Sequence, residues 1–142
     1  MKDKKALTSP CGLDCFNCEI YVDNLTDELA ELIHEKMNVP KEAIPCRGCR
    51  QEDGVHYHLP DGCATLECVK EKGVELCCDC ADFPCVLLAP LANGAGMYPH
   101  NMKVYNLCRI KKIGLEGWIE ESGQIRTKYF RSKFVVGKGQ AD

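Results

Sequence analysis

Cysteine is the residue whose placement could do chemistry in this chain. Three sulfurs fall within eight residues, Cys11-Gly12-Leu13-Asp14-Cys15-Phe16-Asn17-Cys18, and the glycine lets the backbone turn tightly between them. Cys46-Arg47-Gly48-Cys49 is a C-x2-C knuckle, Cys63 and Cys68 flank a short helical pattern, and Cys77-Cys78-Asp79-Cys80 runs on to Cys85. Eleven of the twelve cysteines lie between Cys11 and Cys85, so the array is confined to one stretch. Two thiolates at C-x2-C spacing reach one tetrahedral ion, because the turn between them brings both sulfurs to one side.

The knuckle pairs are Cys15/Cys18, Cys46/Cys49 and Cys77/Cys80, with Cys11, Cys63, Cys68 and Cys85 in looser positions. That inventory serves two four-sulfur sites with thiols to spare. Locality suggests that Cys46, Cys49, Cys63 and Cys68 close one site. Cys11, Cys15 and Cys18 then need a fourth ligand from Cys77, Cys80 or Cys85. His56 and His58 are alternative nitrogen ligands, although ordinary loop histidines are the commoner case. Cys78, next to Cys77, reads as a spare, and Cys108, on an apolar helical face, as a core thiol.

Zinc is the expected metal, with an iron–sulfur cluster as the alternative. Cys11-x3-Cys15-x2-Cys18 is the spacing by which radical-SAM enzymes hold a four-iron cluster. A chain of 142 residues is too short for the barrel those enzymes need, and Phe16 stands elsewhere than their usual aromatic residue. No residue is singled out as catalytic, and an enzyme is not the favoured reading.

Compartment bears on disulfide against metal. The start, Met1-Lys2-Asp3-Lys4-Lys5-Ala6-Leu7, is charged and lacks the apolar run of a secretory signal. No segment approaches the ~20 apolar residues of a membrane span. A cytoplasmic protein with reduced thiols is expected, in which this spacing signals metal. Metal would also offset a lean core, since aromatics make up only 7% of the chain. Zinc contributes about 10–16 kcal/mol to finger-like peptides.

Around the cysteines the pattern predicts a small α-rich domain (α+β possible), its short helices joined by cysteine-bearing loops. Residues 1–10 read as a flexible lead-in, 11–122 as the cysteine-rich metal-binding domain and 123–142 as a basic tail. Asp23 or Asn24 should cap a helix through about Met37, with Leu25, Leu29, Leu32, Ile33 and Met37 on a face packed over the metal core. Further helices are expected at 64–72 (closed by Gly73), 83–88, from Pro99 to Gly114, and at 115–121. Residues 125–136 read as strand-like or irregular.

The net charge of −3 gives the whole molecule no long-range attraction for nucleic acid or anionic membrane. Yet nine basic residues between Lys103 and Lys138 face only Glu116, Glu120 and Glu121. Cations interleaved with aromatics at 126–134 could track a nucleic-acid backbone. Neutralisation of the acidic half of the same chain is the favoured reading. The loop Asn93–Gly96 is a second candidate surface.

CGLDCFNC, CRGC, Cys63-x4-Cys68, the Lys72-Gly73 turn and Cys77-x2-Cys80-Ala-Asp-Phe-Pro-Cys85 resemble, in that order, a cysteine-rich family of bacteria and archaea catalogued as domain of unknown function 3795. The resemblance covers about residues 9–122, including Gly114-Leu115-Glu116-Gly117-Trp118. It implies a small cytosolic metal-binding protein and brings no established reaction. Carried over by position, the metal ligands it implies are Cys11, Cys15, Cys18, Cys46, Cys49, Cys63, Cys68, Cys77, Cys80 and Cys85. The expected function is a zinc-finger-like binding module of unknown target, with redox or metal handling as the alternative.

Overall fold

Three helices carry most of the regular structure, described over residues 2–141 in a computed structural model. Helix α1 spans Asp27–Met37. Thr26 caps it, its hydroxyl accepting from the Leu29 amide at 3.2 Å, and Asp27 and Glu28 complement the positive helix start. Neither Asp23 nor Asn24, the two expected caps, fills that role, and Asn24 instead donates its amide to the carbonyls of Phe16 (3.0 Å) and Cys18 (2.7 Å). Helix α1 buries none of its residues, and Leu32 and Met37 stay exposed. It therefore does not roof the cysteine core as its periodicity suggests. It packs beside the 3-10 turn Lys41–Ala43, and a later helix covers the core.

Helix α2, Ala64–Lys72, follows the pattern read from the sequence. Gly73 closes it at φ 65°, donating to the carbonyls of Lys70 and Val69, and Leu66 and Val69 enter the core. The helix expected at 83–88 shrinks to a 3-10 turn, Val86–Leu88, after a cis Phe83–Pro84 bond.

Helix α3, Lys103–Arg131, is broken at Gly114, where φ 80° and ψ 163° suit only glycine. One arm buries Asn106, Leu107 and Ile110, and the other buries Trp118, Ser122 and Arg126. The second arm runs ten residues beyond Glu121, through Arg131, so the strand-like reading of 125–136 is corrected there. Only Lys133–Val135 (β1) forms a strand, paired antiparallel with Gly139–Ala141 (β2), Phe134 opposite Gln140. Tertiary anchors outweigh the modest helix propensities of Thr127, Tyr129 and Phe130. The Tyr129 hydroxyl donates toward the carbonyls of Ala95 (2.9 Å) and Tyr98 (3.1 Å), and Arg126 reaches the first cysteine loop.

The core gathers where α3 crosses that loop. Trp118, fully buried, meets the Phe16 ring edge-on at 6.0 Å, among Leu7, Leu66, Val69, Leu88 and Leu107. Among the described residues, no helix is long and apolar enough to cross a membrane.

An ion pair bolts the two parts together. Arg126 Nη1 donates to the buried Asp14 Oδ1 at 2.9 Å and Nη2 to Glu19 Oε2 at 2.5 Å. Burial pushes the Asp14 carboxyl above its usual range, against the pull of Arg126 and of the Asn17 amide. Arg126→Met should cost about 3–5 kcal/mol in urea unfolding, because it strands a buried carboxylate. Arg109→Met, which breaks the more exposed pair with Glu121, should cost less than about 1 kcal/mol. Equal losses in the two variants would contradict this ranking.

Candidate metal centre

The first cysteine loop is shaped by its own backbone. The Ser9 hydroxyl accepts from the Leu13 amide at 2.8 Å while the Ser9 amide donates to the Leu13 carbonyl at 3.0 Å, closing a tight loop around Cys11. Gly12 sits at φ 85°, and a β-carbon there would lie 2.8 Å from Leu107 Cγ, so only glycine lets the loop press against α3. The Asn106 amide grips the Gly12 carbonyl from α3 at 2.8 Å. A 3-10 turn, Cys15–Asn17, then sets Cys18, whose amide donates to the Cys15 carbonyl at 3.1 Å.

The second knuckle docks on this loop through backbone bonds. The Cys46 amide donates to Ile20 O at 2.9 Å, and the Val22 amide donates to Cys46 O at 2.8 Å. Within the knuckle the Gly48 amide points at Cys46 Sγ at 3.3 Å, the N–H···S contact that would steady a thiolate. Cys49 is carried to Cys15. The interaction between the two thiols raises Cys15 well above its ordinary range and lowers Cys49, with Arg50 beside it. Neighbouring Cys11 and Cys18 raise Cys15 further. Burial pushes the Cys46 thiol up to about 12, with Glu52 and Cys18 adding to the effect.

A second group forms at α2 and the loop that follows it. Cys68, Cys77, Cys80 and Cys85 line one cavity of ≈ 220 Å³, walled by Val69, Val74 and Phe83. The 3-10 turn Cys77–Asp79 places Cys80, whose amide donates to Cys77 O at 3.2 Å. Cys80 Sγ receives the Asp82 amide at 3.4 Å and the Lys72 ammonium at 3.4 Å. Burial pushes the Cys77 thiol up to about 12, and the charges of Cys11, Cys85 and Cys68 act in the same direction. The Cys77 amide donates to Pro10 O at 2.8 Å, so this group leans directly on the first loop.

The structure thus divides the set that locality suggested. Cys49 joins the first loop, Cys68 joins the third cluster, and Cys63 stands at the start of α2 with its Cβ against Gly54. Cys78 is buried, whereas Cys108 is exposed on α3 and is not the core thiol its helical face suggested. One group was missed: Cys46, Glu52 and His56 bring their ligand atoms within 4.8 Å of one another, a set that could hold a metal ion. Among the described residues it is the one group of three such side chains that close. The sequence offered His56 as a nitrogen ligand, but Glu52 lay unremarked in a polar loop. Only the turn geometry of that loop brings it to Cys46.

The chain matches, over residues 7–90, the family described as protein of unknown function (DUF3795). It belongs to that family. The match contains every cysteine of both groups and ends before α3, so the Gly114–Trp118 stretch lies outside it. No curated protein and no solved structure matches the chain.

Exposure separates the thiols chemically. In native protein under reducing-agent-free conditions, Cys108 should be the first cysteine alkylated by iodoacetamide, as peptide mapping would show. First labelling at Cys78 would contradict the burial described here.

Proposed function

We propose that this DUF3795 protein is a cytosolic zinc-binding protein whose metal is mainly structural and whose surface serves as a binding module. The observation that supports this most is the neighbourhood of sulfurs from separate segments: Cys49 lies by Cys15, and Cys68, Cys77, Cys80 and Cys85 line one cavity. Cys11, Cys15, Cys18, Cys46 and Cys49 would supply one, and Cys68, Cys77, Cys80 and Cys85 the other, with Cys63 between them in the chain. Thiolate sets of this kind suit zinc, and bound zinc would cross-link loops that few other interactions hold. The N–H···S contacts at Cys46 and Cys80 would support these sulfurs as thiolates once a metal displaced their protons. Because thiols ligate only as thiolates, uptake should release protons and tighten with rising pH.

The basic stretch is better read as counter-charge than as a nucleic-acid surface. Arg126 is spent on Asp14 and Glu19, Arg109 on Glu121, and Lys111 on the Cys78 carbonyl at 3.1 Å. Tyr129 is likewise engaged internally, with the glycine loop.

Metal analysis of anaerobically purified protein tests the reading. Zinc should be present, and Cys80→Ser and Cys49→Ser should each lower it by about one ion and loosen the fold, since a hydroxyl is a poor zinc ligand. Cys108→Ser should leave the zinc content unchanged. Iron with labile sulfide in place of zinc would contradict the proposal, and so would equal loss in all three variants.

A further inference from the structure

The loop between the second knuckle and α2 collects donors of three kinds. Asp53 and Gly54, both at positive φ (51° and 74°), turn it back beneath Cys63, and the Gly54 amide ties it to Cys49 O at 2.8 Å. A tight turn follows, with His56 N donating to Leu59 O (3.3 Å) and Leu59 N donating to His56 O (2.8 Å). It sets the two imidazoles side by side, Nδ1 to Nδ1 at 2.7 Å. Cys46 Sγ lies 3.4 Å from Glu52 Oε2, and the His56 ring completes the group. His56 Nε2 faces the Pro45 carbonyl at 3.4 Å. With that N–H donating, Nδ1 is the acceptor nitrogen of His56, its lone pair facing the His58 Nδ1–H until an ion takes it.

We propose that Cys46, Glu52 and His56 form a mixed-donor site for a borderline divalent transition ion such as zinc, with an exchangeable fourth position that His58 or an outside ligand fills. One thiolate, one carboxylate and one imidazole are a donor set for zinc or cobalt, whereas magnesium and calcium take oxygen. The two anionic donors balance a divalent charge. Four-thiolate sites are closed, while three protein ligands leave a place for water or another ligand. Exposure agrees: the three ligands are half-buried and His58 is exposed, so solvent reaches the fourth position. The assignment withdraws Cys46 from the N-terminal group and leaves it Cys11, Cys15, Cys18 and Cys49. Cys11, Cys18 and Cys49 all neighbour Cys15, so four sulfurs are still available to that group.

The inference rests on the zinc reading only for the neighbouring sites, and cobalt titration of the reduced, metal-free full chain separates the two. The native sequence should take up an ion with a weak, single-thiolate charge-transfer band and visible bands that shift with azide, beside the strong bands of four-thiolate cobalt. Glu52→Gln and His56→Ala should each weaken that ion's binding by at least about tenfold and abolish the azide response, leaving the four-thiolate bands intact. Cys15→Ser should do the reverse. Retention of the full cobalt count and of the azide response in Glu52→Gln and His56→Ala would overturn the proposal. So would loss of one and the same four-thiolate band in Cys46→Ser and Cys15→Ser, because Cys46 would then belong with the facing knuckle. Failure of the zinc reading would show differently, as four-thiolate bands missing from the native sequence.

Discussion

The contact between the first cysteine loop and α3, centred on the buried Asp14–Arg126 pair, is the constraint on which the rest of the structure depends. The two residues are 112 positions apart, and their union fixes where the long helix crosses the cysteine-rich segment. Around them Phe16 meets Trp118, Asn17 donates to the Ser122 hydroxyl at 3.1 Å, and Gly12 abuts Leu107. A buried pair of this kind contributes little net stability against an apolar substitute, yet breaking it is costly. Its effect is to specify one docking geometry, and both thiol groups inherit that geometry. Cys11 and Cys15 flank Asp14, and Cys77 hangs from Pro10.

This arrangement explains how so lean a core can coexist with so many loops. The apolar cluster is small, and much of the chain between the helices runs as turns. Backbone bonds between loops, such as Cys46 to Ile20 and Cys77 to Pro10, register the segments without burying much surface. Metal at the thiol groups would add cross-links between these loops, beside the cavity walled by Val69, Val74 and Phe83. Helix α1, which buries none of its residues, lies outside this scheme.

Local signals were legible and long-range ones were not. Gly73 after Lys72 marks the end of α2 in both sequence and structure, because a left-handed cap is a single-residue requirement. Gly114 likewise marks a break in both. The continuation of α3 through Arg131 was hidden, since Thr127, Tyr129 and Phe130 favour strand until Asp14 and the Ala95–Tyr98 loop take hold of their neighbours. The amphipathic stripe of α1 promised a buried face, but periodicity states only that a face exists, not that anything covers it. Cysteine spacing identified the metal-ligand candidates. It could not say which thiols face each other, because Cys15 neighbours Cys49, and Cys68 shares a cavity with Cys77, Cys80 and Cys85, only through the fold. Glu52 was invisible for the same reason, its place beside Cys46 being set by the turns at Asp53 and Gly54.

The central claim is that metal at the thiol groups holds this fold together. Thermal unfolding of the reduced protein, followed by circular dichroism before and after chelation, tests it most directly. The account predicts a cooperative transition with metal, its loss on chelation, and its return when zinc alone is added back. An unchanged melting curve after complete metal removal would contradict it.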